Sequence, residues 1–357
     1  MYLWDYKQAE EIRELPDREL LLCLMDSGLM KAPKCKNCFN EMRPRFRDQR
    51  GNAWICRRKG KDCWSISMKN SSFFSNSNIK LKEQIIITIC WLNGLDLATV
   101  CGKCKVSSHS IEEYIGVLRA VCVQYWKNIL LGGNETVVEL ATAEINVNYE
   151  LEAGESVSED VRLIAAIERL DGGEAVAGLL PSTSSEYIDD FLFFKVIPGS
   201  FLVCDEWRNS NVGGINNNLF SRSSNEEFQE AVATICGQAA EEDMEIRRNL
   251  LSIVNLENLR SLQKENKNGK ASKNESVTVE DFVEFVTPTI SDGFGLDQRG
   301  REEILAESVV RFNGRHNLHE FFWNLVVEQY DVIEDLRNSA TMLSVFTTND
   351  GTMMRAT

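Results

Sequence analysis

Four cysteines near the N-terminus constrain the fold of this chain more than any other feature. They form two pairs, Cys35-x2-Cys38 and Cys56-x6-Cys63, with seventeen residues between the pairs. Two thiolate pairs at such spacings can close a tetrahedral zinc site, each pair forming one knuckle. Four reduced cysteines of an apolar core are the alternative, but Cys, Arg, Trp and Ser dominate from Pro33 to Phe74. We therefore predict a zinc ribbon in which zinc has a structural role.

The segment around these cysteines is basic, whereas the chain as a whole is acidic. Residues 31 to 82 contain fourteen Lys or Arg and three acids, a net charge of +11, so the −15 of the 357-residue chain leaves −26 for the remainder. Such asymmetry predicts a basic module that contacts a polyanion, with a solvated basic face as the alternative. The side chains that we expect to contact this polyanion are Arg43, Arg45, Arg47, Arg50, Arg57, Arg58, Lys59 and Lys61.

The hydrophobic pattern divides the chain into several segments. Strands are expected over 136–140, 161–167, 174–180 and 200–204, with a helix over 185–195 between the last two, and further helices over 226–259, 301–310 and 318–336. The expected domains are an N-terminal helical element (1–30), a zinc ribbon (31–76), a helix-turn-helix (77–131), an α/β domain (132–338) with a helical insertion at about 214–275, and a disordered tail (339–357).

Apolar runs and the remaining cysteines argue against a membrane or secreted protein. No stretch of eighteen apolar residues occurs, and the N-terminus is charged from residue 5, so we expect no membrane span and no signal peptide. Eleven unevenly placed cysteines do not suit a disulfide scaffold, which predicts an intracellular chain with reduced thiols. The pair Cys101-Gly-Lys-Cys104 has no partner pair, and we interpret it as structural.

Three helices are expected between Ile79 and Trp126, the last two joined by a tight turn. This order is typical of a helix-turn-helix, in which the first residues of the last helix reach base edges. Glu112 and Glu113 would repel phosphate, and a plain three-helix packing unit is the alternative. The candidate base-contacting residues are Ser108, His109 and Ser110.

These residues together resemble a known family. The run CKNC…WICRRKGKDCWSISMKNSSFFSNSNIKLKEQIIITICWLNGLDLATVCGKCKVSSHSIEEYIGVLRAVC is similar to the N-terminal half of Merlin-type transposases and their bacterial insertion-sequence relatives. The similarity continues through VVEL (137–140), VRLIAAIERLDGGEAVAGLLP (161–181), IPGSFLVCDEWRNSN (197–211) and LHEFFWNLV (318–326), roughly 200 residues in all. The resemblance implies a multi-domain α/β protein with a zinc ribbon, a helix-turn-helix and a catalytic domain of the RNase H-like fold.

The resemblance also implies three carboxylates that hold two divalent metal ions for DNA cleavage and joining. The three positions fall on Ala141, Asp205 and Glu307. An alanine methyl group cannot coordinate a cation, so the predicted catalytic centre lacks one ligand. Two carboxylates could substitute for it: Glu139 shares a strand face with Ala141, and Glu144 lies nearer the end of the strand.

We therefore predict a nuclear, transposase-derived DNA- or chromatin-binding protein without a complete catalytic centre. DNA would bind the basic module, and protein partners would bind the acidic body. The first alternative is an active transposase or nuclease that uses Asp205 and Glu307 with Mg²⁺. The second alternative is a protein-interaction module in a silencing complex.

Overall fold

Both ends of the chain contribute to one folded unit, and the middle of the chain forms a second. The first unit contains residues 1–121 and 317–357, and the second contains residues 122–316. The computed structural model describes residues 2–46, 52–56, 58, 63, 65–70, 72–133, 136–150, 156–168, 172–181, 185–197, 200–204, 252–254, 277–292 and 298–338. The fold is mixed α/β. No helix in this part of the chain has both the length and the apolar character needed to cross a bilayer.

The described elements alternate between helical and strand-rich stretches. The helices are α1 (Ala9–Glu14), α2 (Asp17–Asp26), α3 (Leu81–Leu92), α4 (Leu97–Lys103), α5 (Ser108–Asn128), α6 (Ser185–Lys195), α7 (Val279–Asp292), α8 (Gln298–Asn313) and α9 (Leu318–Asn338). The strands are β1 (Met42–Arg45), β2 (Ala53–Cys56), β3 (Ser65–Ser67), β4 (Leu131–Gly132), β5 (Val137–Glu150), β6 (Ser156–Glu168), β7 (Ala175–Leu180), β8 (Val196–Ile197), β9 (Phe201–Cys204) and β10 (Ser252–Val254). Short 3₁₀ turns cover Leu3–Asp5 and Phe73–Asn76.

An aromatic cluster joins the two ends of the chain in the first unit. Trp91 of α3 contacts Phe322 of α9 edge to face, with ring centroids 5.2 Å apart, and Trp323 lies 6.2 Å from Phe74. All four side chains are buried, so α9 completes the core that α3 begins. Although the sequence pattern groups α9 with residues 132–338, its packing partners are α3 and the 3₁₀ turn at Leu3–Asp5.

The second unit is built on a five-stranded sheet of order β10-β9-β5-β6-β7. β5, β6 and β7 are antiparallel neighbours, whereas β9 runs parallel to β5 on its other side and β10 runs parallel to β9. Because side chains alternate along a strand, the sheet buries a different set of residues on each face. Odd-numbered residues such as Val147 and Leu163 pack against α7 and α8, and even-numbered residues such as Leu140 and Ile164 pack against α6.

Several boundaries in the second unit agree with the sequence. The helix over 185–195 is confirmed by α6, and β7 and β9 lie in the expected strands. β5 and β6 extend well beyond the expected 136–140 and 161–167, because their paired backbones continue as a long hairpin to Glu150 and Ser156. α7 is not among the expected helices, although Val279, Phe282 and Val286 follow a helical period.

One expected helix is wrong where the structure describes it. Residues 252–254 form strand β10, which pairs with β9, within the segment predicted as a helix over 226–259. The apolar run there is short and contains the β-branched residues Ile253 and Val254, and such a run fits a buried strand as well as a helix. The rest of the predicted insertion (214–275) and the tail after residue 338 lie outside the described residues.

Candidate metal centre and carboxylate positions

The four N-terminal cysteines converge on one point. The Sγ atoms of Cys35, Cys38, Cys56 and Cys63 all lie within 4.8 Å of one another. Cys38 Sγ is 3.3 Å from Cys56 Sγ and 3.9 Å from Cys63 Sγ. Four thiolates bound tetrahedrally at about 2.3 Å from one zinc ion would be roughly 3.8 Å apart. The donor set therefore fits a single four-coordinate metal ion with no open position for a substrate.

Backbone amides surround the first cysteine pair and favour its thiolate form. The N–H groups of Cys38 and Asn37 point to Cys35 Sγ and lower the pKa of the Cys35 thiol. The N–H of Asn40 does the same for Cys38, with help from the Asn40 side chain and Cys56, and lowers the pKa of the Cys38 thiol to about 6. Thiolates are the form that binds a metal. The turn is thus arranged for a cation before any cation is bound.

The same turn holds an exposed aromatic residue in an unusual conformation. Phe39 follows the second cysteine with φ of +55°, and 76% of its surface is exposed. Its N–H donates to the carbonyl oxygen of Cys35 at 2.8 Å, and the N–H of Cys35 donates to the carbonyl oxygen of Asn40 at 2.8 Å. These two hydrogen bonds fix the turn. Phe39 is not among the site residues predicted from the sequence, although its place directly after a C-x2-C pair was the available signal.

A three-stranded sheet supports the second cysteine pair. The order is β1-β2-β3, all antiparallel, and Met42 pairs with Cys56 while Pro44 pairs with Trp54. Trp54 is fully buried, and its indole N–H donates to the carbonyl oxygen of Met68 at 3.1 Å. The buried Trp54 and Cys56 share one face of β2, so this face anchors the metal site.

The opposite face of this sheet is basic. Arg43 and Arg45 are exposed on β1, and their cross-strand partners on β2 are Ile55 and Ala53. The next strand adds two exposed serines, Ser65 and Ser67, at the same registers. Arg58, in the turn after β2, is also exposed. The other predicted DNA-contacting residues, Arg47, Arg50, Arg57, Lys59 and Lys61, lie outside the described residues.

The beginning of α5 exposes two of the three candidate base-contacting residues. Ser108 and His109 are exposed and Ser110 is half-buried. The N–H of Ser110 donates to Ser107 Oγ at 3.3 Å, which caps the helix. His109 Nε2 lies 3.4 Å from a carboxylate oxygen of Glu113, one helical turn later. The start of α5 therefore presents both polar and acidic groups to solvent.

The first predicted carboxylate position lies in the core of the second unit. Ala141 is half-buried on β5 and packs with the cluster that α7 and α8 form on that face of the sheet. Glu139, on the same face about 7 Å along the strand, is fully buried, and its Oε2 accepts a hydrogen bond of 3.0 Å from the N–H of Val279. Glu144 is exposed and accepts a 3.0 Å hydrogen bond from Arg162 Nε.

The described residues do not bring the other two predicted carboxylate positions, Asp205 and Glu307, together with Ala141. Asp205 directly follows β9 in the sequence and lies outside the described residues. Glu307 is buried on α8 and forms an ion pair of 2.9 Å with Arg311. α8 packs against α7 and β7, whereas α7 packs against β5 and β6. The described contacts therefore give Glu307 an arginine partner rather than a second carboxylate.

Comparisons with known proteins assign no family to the chain. No protein-family profile matches it, and no curated protein does. A crystal structure of NurA is among the solved structures found, with 10% sequence identity over 63% of this chain and a TM-score of 0.11. The chain spans 64% of the NurA chain, less than two thirds of its length. A TM-score of this size does not establish a shared fold.

Proposed function

We propose that this chain is a transposase-derived, nuclear DNA- or chromatin-binding protein that has lost its catalytic centre. The exposed basic face of the β1-β2-β3 sheet carries the proposal. Arg43 and Arg45 of β1 project from the face of the sheet that also carries Ser65 and Ser67 of β3, and all four side chains are exposed. A face with two exposed guanidinium groups suits contact with phosphates, which supply most of the sequence-independent affinity for DNA.

Zinc has a structural role in this proposal. A site closed by four cysteines leaves no coordination position for water or substrate, which distinguishes structural from catalytic zinc sites. Cys56 is the last residue of β2, and Cys35 and Cys38 form the turn before β1. The metal would therefore hold the sheet together in a segment with few apolar residues. Zinc would act on DNA only through the shape that it gives to this segment.

The helix-turn-helix and the RNase H-like domain remain parts of the proposal. The order α3, α4, α5 and the exposed Ser108 and His109 support the helix-turn-helix. The strand arrangement supports the RNase H-like domain: three antiparallel strands are followed by α6 and then by β9, which runs parallel to β5 on the side away from β6. RNase H-like domains are built on a mixed sheet of this kind. We infer a transposase-like body that has kept its sheet.

The environment of Ala141 supports the proposed loss of catalysis. A two-metal mechanism needs carboxylates that converge on a hydrated site. Ala141 instead packs among apolar side chains, and the nearby Glu139 is engaged by the N–H of Val279. The exposed Glu144 is paired with Arg162. Both carboxylates that could replace the missing ligand thus have other roles, which argues against the alternative of a Mg²⁺-dependent nuclease.

A charge-reversal experiment tests DNA binding. Arg43→Glu/Arg45→Glu should leave the zinc content unchanged, because these side chains lie on the face opposite Trp54 and Cys56. Affinity for duplex DNA should fall, and the slope of log affinity against log salt should shrink by roughly 1.8 for two lost phosphate contacts. Arg299→Glu, at an exposed position in the second unit, is the matched control. Unchanged affinity and slope in the double variant would refute the proposal.

A second candidate function is protein binding by the acidic body. α6 exposes Tyr187, Phe193 and Phe194, and the two phenylalanine rings form an edge-to-face pair. Exposed aromatic side chains are enriched at protein interfaces. If protein partners bind here, Phe193→Ser/Phe194→Ser should release them in a pull-down performed after nuclease digestion. If the wild-type chain loses its partners once nuclease is added, those partners are bound through DNA and not through α6.

A further inference from the structure

The turn formed by the first cysteine pair contains a conformation that its residue type does not favour. Phe39 has φ of +55°, in the left-handed region. For residues other than glycine this region brings the Cβ atom too close to the backbone, and for a bulky residue it is a genuine outlier. Glycine would adopt this turn without strain. The chain instead has one of its largest apolar side chains there.

Packing within the chain does not compensate for this strain. Phe39 is 76% exposed, the highest exposure among the large apolar side chains of the described residues. If the phenylalanine were buried, the removal of its apolar surface from water would offset the free-energy cost of the strained backbone. Phe39 leaves most of that surface in solvent. Strained and exposed residues of this kind are typical of sites that act on a ligand.

The surroundings of Phe39 indicate the chemistry of that ligand. Lys34 and Lys36 are exposed on the same turn, and Arg43 and Arg45 follow on β1. Glu41 is the one acidic residue among residues 31 to 46. An aromatic ring among cations suits nucleic acid, because the cations contact phosphates and the ring stacks on an unstacked base. Two backbone hydrogen bonds hold the turn, so the backbone that carries the Phe39 ring is rigid.

We propose that Phe39 stacks on an unpaired base and that this chain prefers DNA that contains one over fully paired duplex. The inference rests on the proposed DNA binding and adds the class of DNA structure to it. Phosphate contacts by Arg43 and Arg45 would supply affinity for any duplex. Phe39 would supply the discrimination, since stacking requires a base that has left the helix.

The test compares a perfect duplex with one that carries a single bulged base, using the zinc-loaded full chain. Stacking is worth between about 5- and 150-fold in affinity per base. Phe39→Gly should lose a factor of this size on the bulged duplex only and leave the perfect duplex and the salt slope unchanged. Glycine suits the positive φ, so this variant should keep its zinc and melt at the same or a higher temperature.

Two additions separate stacking from a general loss of structure. Phe39→Tyr keeps an aromatic ring and should retain the preference for the bulged duplex. With 2-aminopurine as the bulged base, fluorescence should change on adding the wild-type chain, as the base exchanges its neighbouring bases for the Phe39 ring, and stay constant with Phe39→Gly.

The outcomes distinguish this inference from the proposed function. Equal binding of the bulged duplex by wild type and Phe39→Gly would overturn the role of Phe39, and so would an equal loss on both DNAs. If Arg43→Glu/Arg45→Glu still weakens binding in those cases, DNA binding by the basic face stands. A wild-type chain that binds neither DNA would overturn both proposals.

Discussion

The buried carboxylate of Glu139 accepts a hydrogen bond from the N–H of Val279, the first residue of α7, at 3.0 Å. The two residues are 140 positions apart. The first N–H groups of a helix have no partner within the helix, and a negative charge near them is favourable. Glu139 therefore caps α7 from within the sheet. A carboxylate beside a predicted metal-ligand position serves here to attach a helix.

Removal of this cap should destabilise the second unit. Glu139→Leu has a similar volume but leaves the Val279 N–H buried without an acceptor, which costs about 1–3 kcal/mol. Glu139→Gln keeps an amide oxygen and should cost less. Thermal unfolding of both variants measures the difference, with the exposed Glu144→Gln as the control. A Leu variant as stable as the wild type would show that the buried carboxylate is dispensable for the fold.

A carboxylate introduced at residue 141 should not create a metal site. Ala141→Asp would place a charge among apolar side chains on the strand face that it shares with Glu139, and such burial costs several kcal/mol. We expect a lower melting temperature that Mg²⁺ does not raise, and no cleavage of labelled DNA. Ala141→Ser, which adds a hydroxyl group without charge, is the matched control. Stabilisation of the Asp variant by Mg²⁺ would reveal a usable two-metal site.

Loss of one cysteine ligand should release the metal and unfold the β1-β2-β3 sheet. Cys63→Ser replaces a thiolate by a weak ligand, and metal-dependent small domains lose their fold without the ion. Metal analysis and the near-ultraviolet signal of the buried Trp54 would report this change. Cys101→Ser is the control, since Cys101 is also half-buried but lies outside the cluster. Equal zinc content in the two variants would contradict the four-cysteine site.

The first unit should lose stability in mild acid through His319. Its Nε2 lies 3.0 Å from Oδ1 of Asn93, and burial, with a smaller effect of Lys7, lowers the pKa of His319 to about 4. An unfolded histidine titrates near pH 6.5, so the stability from the neutral ring is complete above that pH and decreases as pH falls toward 4. Between pH 7 and pH 5 we expect a loss of about 1–2 kcal/mol.

The control for this prediction removes the titrating group. His319→Gln keeps a hydrogen-bonding side chain beside Asn93 and should show a shallower acid decline in chemical unfolding followed at the buried tryptophans. The difference between the two pH profiles isolates His319 from the other acid-sensitive groups. Parallel profiles would mean that His319 is protonated as easily in the folded chain as in the unfolded one.

Local patterns predicted the parts of this molecule that depend on local chemistry. The cysteine spacing identified a cluster whose four ligand atoms do converge. The bounds of α6 coincide with the helix predicted over 185–195. Pro288 in the last turns of α7 is unfavourable inside a helix and obscures a period that is otherwise helical.

Long-range contacts account for what the sequence could not supply. The bond between Glu139 and Val279 joins distant positions, and nothing in the local pattern of β5 indicates it. The left-handed φ of Phe39 is set by hydrogen bonds across the turn, against the preference of its own side chain. β10 is a strand because β9 offers it an unpaired edge, and its short apolar run would also fit a helix.

The aromatic contacts between α3 and α9 also bear on how the protein is made. During synthesis Phe74 and Trp91 leave the ribosome long before Phe322 and Trp323 do, and domains normally fold as their residues emerge. The first unit can therefore complete its core only after α9 has been made. Until then an apolar surface is open to chaperones or to other nascent chains. A fragment that stops before residue 317 would carry this exposed surface permanently, and its aggregation would say little about the intact chain.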